Sequence, residues 1–401
     1  MLTYLLLLYG VLSRSIISKS LIFYVVEIFF ILGIPVYFLL KYGLKKSLYN
    51  TKFERIELFF LLSIITYFIN IILFYDNKIL NIIFILPTIM GFILYYYNKT
   101  RDNILFTIKI QNGLLTASKV IILSIIAFEI LNRIFQLYPI KLPKFMASYF
   151  LHPNDLGLTI SVLTIIIFIT KRKGSKIDLL FILIGIIILY LTKSRTYLVA
   201  LSFYFIAYAF LRNKLLTTFV VIFITTTLLI PVVQDFILEN NIITNKYENK
   251  TGQNSLLLTG REYIWSGAIK VIKENLLVGI GSQNIPDKVT PLIPDYLYLK
   301  ENNAIAKASL HNVYLDILLS MGILGFVFTF IFFGYRIIKA TIYVLKNKND
   351  LFYKKLYCYI IYVFGAAFVY SDLYFTRNIL QVFFWLILSV MTVMERKELD
   401  V

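Results

Sequence analysis

Long apolar segments recur along this 401-residue chain and constrain its fold more than any other feature. Twelve of them reach or approach the length that crosses a bilayer, and 59% of all residues are hydrophobic. Unpaired backbone groups are costly in hydrocarbon, and the segments lack the strict alternation of lipid-facing β-strands. The sequence therefore predicts an all-α, polytopic membrane protein with about 12 transmembrane helices.

The length of each apolar run assigns the predicted spans. They lie at 2–18, 21–40, 56–75, 79–97, 114–135, 156–170, 177–192, 196–211, 215–233, 312–334, 356–371 and 376–394. The first run, MLTYLLLLYGVLSR, lacks a basic start and a small-residue cleavage site, so it is expected to remain as a span. Connectors rich in Lys and Arg alternate with poorer ones, which places both termini in the cytoplasm.

One connector, residues 234–310, is long and electrically balanced, with eight basic and eight acidic residues. Such a balance is typical of a translocated segment, so we expect an extracytoplasmic loop domain between membrane bundles at 1–233 and 311–401. Within it, TGREYIWSGAIKVIKENLLVGIG predicts an amphipathic helix. Thr259 and Glu262 are expected to form its capping box, and Gly279 and Gly281 to end it.

The formal net charge of +18 does not indicate nucleic-acid binding, because the basic residues lie mostly in short connectors between apolar runs. The single cysteine, Cys358, excludes an intrachain disulfide. The two histidines are far apart, no acidic pair stands out and no glycine-rich phosphate loop is present. We therefore expect neither a metal nor a cofactor.

The predicted outer ends of several helices carry capping residues. Caps are expected at the following positions: Asn154, Ser194, Thr259 and Ser309. Each helix start offers free N–H groups and partial positive charge, and Arg195 and Arg261 add two guanidinium groups. This pattern indicates an anion site suited to phosphate or pyrophosphate. His311, at another such start, is biased toward the neutral imidazole that a general base requires.

Each of these residues also has a simpler interpretation. Arg195 can snorkel from a span end, Arg261 can be a solvated loop residue, and His311 can lie at the interface without a function. His152, before Pro153, can simply begin a turn into a helix.

Four other residues also have structural interpretations. The spacing of Glu129 and Arg133 favours an i, i+4 ion pair. Tyr263 and Trp265 are interpreted first as interfacial anchors.

Four segments, taken in chain order, resemble the hallmark segments of the superfamily of O-antigen ligases and Wzy-type polysaccharide polymerases. They are LHPNDLG, SRTYLVAL, TGREYIWSGAIKVIKENLLVGIGSQN and HNVYLDILLSMGILG. The resemblance covers roughly residues 150–335, and it implies a membrane glycosyltransferase of the GT-C type that uses undecaprenyl-diphosphate-linked glycans. In this family, Arg195 and Arg261 would hold the donor diphosphate and His311 would act on the acceptor hydroxyl.

Further substrate contacts expected from the resemblance are Asn154, His152, Asn312 and Tyr263. His152 departs from the family pattern, in which a small or polar residue often precedes the PN dipeptide, and this departure puts its contact in doubt. The implied partners are a lipid-linked donor and acceptor, membrane lipids, and a flippase or chain-length regulator.

Two chemistries remain open within the family, and both would take place on the outer face of a bacterial cytoplasmic membrane. A polymerase joins one lipid-linked repeat unit to another, building a capsular or O-antigen-like polysaccharide, whereas a ligase transfers the glycan to a lipid, wall or protein acceptor. The near-neutral loop favours the polymerase, since it offers no strong field for a charged acceptor. A polysaccharide or lipid transporter is the alternative from another class, but the distinctive polar residues lie at span edges and no repeat is present.

Overall fold

The computed structural model describes most of the second half of the chain and most of the predicted spans from 56 onward. The described residues are 54–100, 107–135, 148–150, 152–192, 194–214, 261–293, 310–368, 370, 373–374 and 378–399, with a few positions at 8, 11–13, 15, 300–301 and 304–305. The predicted spans at 21–40 and 215–233, most of the span at 2–18, Thr259 of the capping box and the domain boundary at 233 lie outside these residues.

The described part of the chain is helical apart from a small hairpin. Its helices are α1 Arg55–Leu73, α2 Lys78–Thr100, α3 Ile108–Phe135, α4 Pro153–Thr170, α5 Lys176–Leu191, α6 Arg195–Arg212, α7 Arg261–Glu274, α8 Ile285–Val289, α9 Val313–Lys346, α10 Leu351–Ala366 and α11 Ile379–Leu399. Short 3₁₀ turns at Ser282–Asn284 and Thr290–Leu292 flank α8, and the two-residue strands β1 Lys300–Glu301 and β2 Ala304–Ile305 pair antiparallel.

Six of the described helices are long and apolar enough to cross a membrane: α1, α2, α3, α4, α9 and, in α11, residues Ile379–Arg396. Every predicted span that falls wholly on described residues coincides with a helix, although some ends differ. The span predicted at 312–334 begins at Val313 and continues to Lys346, because the first basic residue after 334, Arg336, is buried in ion pairs and does not end the helix.

Hydrogen bonds between the ends of different helices define two ends of the bundle. At one end, the start of α9 is hydrogen-bonded to the end of α10. At the other, Lys355 Nζ donates to the carbonyl of Phe168 in α4 at 3.0 Å, and Lys354 Nζ donates to that of Leu211 in α6 at 2.7 Å. We call the first the site end and the second the far end. The basic connectors after α4 and α6 and before α10 all lie at the far end.

Helix α4 occupies the centre of the bundle, and 89% of its residues are buried. It contacts α3, α5, α6, α10 and α11, which surround it. A second region of dense packing centres on Trp385 of α11, which lies against Gly91 of α2. A side chain larger than hydrogen at Gly91 would collide with the indole ring, so this glycine is needed for the close approach of α2 and α11.

The far end holds a buried ionic cluster formed by Glu54, Glu57, Lys99 and Arg336. Lys99 makes a close ion pair with Glu57 and lies 3.0 Å from Glu54. Arg336 Nη2 lies 2.9 Å from Glu54 and 3.4 Å from Glu57, whose carboxylate also accepts the Tyr95 hydroxyl at 3.0 Å. The cluster thus joins α1, α2 and α9 through charges that balance one another.

Helix α9 is interrupted near its start. Gly322 has φ 68° and ψ −178°, a backbone conformation that residues with a side chain essentially never adopt. The interruption separates a short first part, 313–321, from a long second part, 323–346. We refer to it as the α9 break. The sequence analysis treated this region as one continuous span, since nothing in an apolar run with two glycines distinguishes a break from close helix packing.

A second, smaller hydrophobic core lies beside the α9 break. It is formed by Ala268, Val271, Ile272, Ile280, Ile285, Val289, Ile293, Leu310 and Leu319. The core therefore packs α7, α8 and the first part of α9 together. Helix α7 ends at Glu274, and the prediction that Gly279 and Gly281 end it was wrong, because a turn at 275–278 intervenes and both glycines lie beyond it with φ of 75° and 79°.

Candidate functional site

The predicted site residues fall at the starts of four helices: α4, α6 and α9 of the bundle begin at the site end, and α7 begins beside the start of α9. Arg195 is the first residue of α6 and Arg261 is the first residue of α7. His311 lies two residues before α9, and His152 lies just before α4. For Arg195 the structure describes the backbone alone. The predicted pattern of helix starts at one end of the bundle is therefore observed for α4, α6 and α9.

The start of α4 is capped by His152 and not, as predicted, by Asn154. The imidazole Nδ1 of His152 accepts the backbone N–H of Asn154 at 3.1 Å. Pro153 occupies the first helical position, where its missing N–H costs nothing, and this places the cap one residue before it. The His152 side chain is exposed, and the simpler interpretation of a turn into a helix describes its backbone correctly.

The start of α9 is capped by Asn312, and the prediction that Ser309 caps it was wrong. The side-chain oxygen of Asn312 accepts the backbone N–H groups of Tyr314 and Leu315 at 3.0 and 3.1 Å. Since Asn312 is only 7% exposed and its oxygen is used in this way, its first role is structural. His311 precedes it with φ 50°, a left-handed conformation that is rare for histidine and that turns the chain sharply into the helix.

The start of α7 lies close to the start of α9. The indole Nε1 of Trp265, one turn after Arg261, donates to the backbone carbonyl of Leu310 at 2.8 Å. The indole of Trp265 therefore makes a specific hydrogen bond inside the protein, which the interpretation as an interfacial anchor did not include. Tyr263 is partly buried and packs against the second core.

The side chains around His311 form an aromatic and cationic group. The ring centroid of Tyr370 lies 5.4 Å from that of His311 and 5.1 Å from that of Tyr197 in α6. Arg261 interacts electrostatically with both tyrosines and with His311, and His152 also influences His311. The structure therefore brings Arg261, His311 and His152 together with two tyrosines.

The pKa values of both His311 and Arg261, at the centre of the site, are lowered. Burial, together with the charges of Arg261 and His152, lowers the pKa of His311 to about 4. Burial also lowers the pKa of Arg261, although the guanidinium group stays protonated at neutral pH. At pH 7 the site thus contains a neutral imidazole beside a partly desolvated cation.

Sequence reasoning missed Tyr197 and Tyr370. Tyr197 lies two residues after Arg195 in the SRTYLVAL segment and is completely buried, and Tyr370 lies in the connector between α10 and α11. A chain with 30 tyrosines gives no compositional reason to select these two. The useful signal was their position beside a predicted site residue and beside a span end.

Among the described side chains, Arg261 has no carboxylate within ion-pair distance. Lys99 and Arg336 at the far end, by contrast, contact Glu54 and Glu57. A partly buried guanidinium group with no described acidic partner is suited to binding an anion from outside the protein. In the same described part of the chain, no group of three or more His, Cys, Asp and Glu residues is arranged to hold a metal ion.

The predicted i, i+4 pair in α3 is confirmed. Arg133 Nε donates to Glu129 at 2.7 Å, and the other carboxylate oxygen of Glu129 accepts the backbone N–H of Ser148 at 2.9 Å. Glu129 therefore has a structural role.

The fold and the site define a multi-pass helical membrane protein with a polar, cationic site at one end of its helices. A family model described as O-antigen ligase matches residues 179–330, a segment that contains Arg195, Arg261 and His311. The match confirms the predicted resemblance to the O-antigen ligase and Wzy superfamily, whose enzymes transfer glycosyl groups. A comparison with curated proteins finds no match to this chain.

Proposed function

We propose that the protein is a polysaccharide polymerase that joins oligosaccharide repeat units carried on undecaprenyl diphosphate. The observation that carries this proposal is the grouping of Arg261 and His311, both inside the segment that matches the family model. Glycosyl transfer from such a donor needs a cationic site for the leaving diphosphate and a base for the acceptor hydroxyl. The two residues supply these requirements.

The donor diphosphate would bind at Arg261 and Arg195. The N-termini of α6 and α7 add backbone N–H groups and partial positive charge to these guanidinium groups. A diphosphate leaves readily once its charge is neutralised, so the cations stabilise the charge that develops as the glycosidic bond breaks.

His311 would accept the proton of the acceptor hydroxyl. The hydroxyl oxygen forms a bond to the anomeric carbon of the donor while that carbon's bond to the phosphate oxygen breaks. Polyprenyl diphosphate leaves with the electron pair, and the hydroxyl proton passes to the imidazole of His311. In the free protein the pKa of this histidine is about 4, so it is neutral and available at pH 7. A bound diphosphate offsets the charge of Arg261 and therefore raises the pKa of His311, which strengthens the base when substrate is present.

The site would face the outside of a bacterial cytoplasmic membrane. The basic connectors after α4 and α6 lie at the far end of the bundle, and the positive-inside rule assigns such connectors to the cytoplasm. The site end is then extracytoplasmic, where flipped lipid-linked repeat units are available.

A second candidate is an O-antigen-ligase-type transfer to a lipid, wall or protein acceptor, and the description of the matched family favours it. The donor chemistry is the same in both reactions. The acceptor differs, and the near-neutral loop supports the polymerase because a charged acceptor would gain little from it.

A transporter is the candidate from another class, and broken helices near the membrane midplane would support it. Helix α9 is broken, but the break lies close to its start, and the second part is itself about 36 Å long at 1.5 Å per residue. Such a length already spans a bilayer, which places the break near the membrane surface.

Deletion of the gene, followed by analysis of lipid-linked glycans, tests the three candidates. A polymerase predicts accumulation of single repeat units on the outer leaflet. Accumulation of long chains that are never transferred would indicate a ligase, and units trapped on the inner leaflet would indicate a transporter. Purified protein with a lipid-linked repeat unit should then form polymer without any added factor.

A further inference from the structure

Helix α7 and the first part of α9 begin and end together. Both start at the site, with Arg261 on one and His311 immediately before the other. Both also reach the α9 break, because the chain that follows α7 pairs with it. We call these two segments, with the chain 275–281, the outer unit. Their mutual arrangement determines the separation of the guanidinium and imidazole groups.

The site-proximal end of the outer unit is held by Trp265. Its indole N–H donates to the Leu310 carbonyl at 2.8 Å, and this carbonyl belongs to the peptide that leads into His311. His311 itself has φ 50°, a conformation that persists only where its surroundings impose it. The hydrogen bond fixes the plane of the preceding peptide and therefore limits the orientation of the histidine.

The other end of the outer unit is held by backbone pairing across the α9 break. The N–H groups of Ile280 and Gly281 donate to the carbonyls of Leu319 and Ser320 at 2.8 and 3.1 Å. In the opposite direction, Ile323 donates its N–H to the Leu276 carbonyl at 2.8 Å. Backbone groups released by the break are therefore taken up by the chain that follows α7.

Two side chains from the end of α1 complete this pairing. The Tyr75 hydroxyl lies 2.6 Å from the carbonyls of both Val278 and Ser320. Asn70 Nδ2 donates to the Val278 carbonyl at 2.8 Å and to the Met321 carbonyl at 3.4 Å. Both residues thus bridge the chain that follows α7 and the first part of α9, and they connect these two segments to the membrane bundle.

Close backbone approach explains why the break contains glycines. A methyl group at Gly279 would lie 2.6 Å from the Gly322 nitrogen, and one at Gly322 would collide with the Leu277 carbonyl oxygen. Both glycines also have positive φ. The two segments can therefore pair in this way only while both positions lack a side chain.

We propose that Trp265, Asn70 and Tyr75 are positioning residues that hold His311 in register with Arg261, and this rests on the proposed function. None of the three is assigned to contact the substrate. Trp265 acts on the peptide before His311, whereas Asn70 and Tyr75 act at the opposite end of the outer unit.

Three substitutions test the proposal: Trp265→Phe, Tyr75→Phe and Asn70→Leu. Each removes hydrogen-bond donors and preserves most of the side-chain volume. Asn98→Leu is the matched control, because Asn98 is buried and donates at 2.6 Å to Ser389, between α2 and α11 and away from the outer unit. All four variants are purified in detergent and compared with the wild type at equal amounts of folded protein.

The first readout is hydrogen–deuterium exchange at the amides of Ile280, Gly281 and Ile323. We expect Asn70→Leu and Tyr75→Phe to increase exchange at these amides, and Asn98→Leu to leave it unchanged. Unaltered exchange in both of the first two variants would overturn the assignment of these residues as the clamp. This readout does not depend on enzymatic activity, so it stands even if the proposed function fails.

The second readout is the pKa of His311, measured by deuterium exchange at its imidazole C–H. In the wild type, burial and the neighbouring charges of Arg261 and His152 keep this pKa low, and the ring of Tyr370 also faces the imidazole. Loss of register should raise the pKa in Trp265→Phe and Asn70→Leu. A wild-type pKa in both variants would overturn the positioning role.

The third readout is the rate of transfer with a lipid-linked repeat unit. A displaced base lowers kcat by about tenfold to a hundredfold with little change in KM, since misplacement by about 1 Å has effects of this size. Asn98→Leu should reduce the yield of folded protein without changing kcat. A normal kcat together with increased exchange and a raised pKa would show that the register is controlled as proposed but that transfer does not depend on it, which would refute the proposed role of His311.

Discussion

The site end and the far end of this bundle both contain partly or fully buried cations. The side chains that surround these cations differ between the two ends. At the far end, Lys99 and Arg336 contact Glu54 and Glu57 within the protein. At the site end, Arg261 has two tyrosines and a histidine around it and no described carboxylate. The two ends therefore illustrate charges that hold helices together and charges that are available to a ligand.

This difference has an energetic consequence. A buried ion pair approximately offsets its own desolvation, so the far-end cluster stabilises the fold mainly by being complete. A buried cation without a counter-ion keeps its desolvation cost until an anion binds. The site end is thus less stable by itself, and binding of a diphosphate would recover part of that cost.

The largest expected effect is on transfer by the site-end variants His311→Ala and Arg261→Ala. Removal of a base or of a charge-stabilising group lowers catalysis by about 10²–10⁴-fold. Elongation of the glycan in cells and turnover by purified protein both measure this loss. Lys270→Ala is the control, because Lys270 is an exposed cation on the same helix as Arg261. Near-normal polymer from either site variant would remove that residue from the mechanism.

Arg261→Lys sharpens the same comparison. Lysine keeps the charge but loses the planar, two-pronged donor geometry, so we expect partial activity between those of the wild type and Arg261→Ala. Wild-type turnover by this variant would mean that Arg261 contributes charge alone.

The next effect is on stability, at the far end. Glu57→Gln leaves Lys99 and Arg336 with Glu54 as their remaining carboxylate in the cluster and should destabilise the fold by about 3–5 kcal/mol. Thermal unfolding in detergent measures it, and kcat per folded molecule should not change. The double variant Glu57→Gln/Lys99→Met should recover part of the loss, since it removes one of the uncompensated charges. A stable single variant would show that the cluster is not needed for folding.

A smaller effect concerns pH. Because the folded pKa of His311 is about 4 and its ordinary value is 6.5, the unfolded chain binds the proton more readily within this window. The free energy of unfolding should therefore decrease as pH falls from about 6.5 to 4. The value of kcat/KM should begin to fall on the acid side only below about pH 5. In Arg261→Gln, one cause of the low pKa is removed and the acid limb should move to higher pH. An unmoved limb would indicate that another group controls it.

The smallest effect is expected for an ion pair that belongs to neither end's cluster. Arg133 is 62% exposed where it contacts Glu129, so Arg133→Ala should change stability by about 1 kcal/mol or less. Measurement by thermal unfolding beside Glu57→Gln tests whether burial, and not the number of ion pairs, determines their importance. Equal losses in the two variants would contradict that view.

The lengths of the apolar runs were enough to predict each described helix of the membrane bundle. A segment in lipid must form a helix, because its backbone groups have to pair with one another. The positions of Arg195, Arg261 and His311 at helix starts were also predictable. The cap residues were not, since a shift of two or three residues exchanges Asn154 for His152 and Ser309 for Asn312. Such shifts depend on local backbone geometry that a sequence pattern does not specify.

Long-range partners explain the features that the sequence did not predict. Arg336 contacts a glutamate 279 residues earlier, and Tyr75 contacts the carbonyl of a residue 245 positions later. The backbone groups at the α9 break are paired with groups that are distant in the sequence, such as the Tyr75 hydroxyl. An apolar run containing glycine therefore gives no local sign of the break. The tyrosines of the site were missed for the same reason.

The interruption of α9 also determines how far from the lipid the proposed chemistry would take place. Its uninterrupted second part already matches the thickness of a bilayer, so 313–321 and His311 extend beyond the hydrocarbon by about 13 Å or less at 1.5 Å per residue. A long, hydrated sugar chain can approach a base at that height without entering lipid. In the proposed reaction, the diphosphate of a membrane-embedded donor, at the headgroup level, would remain within reach of that base.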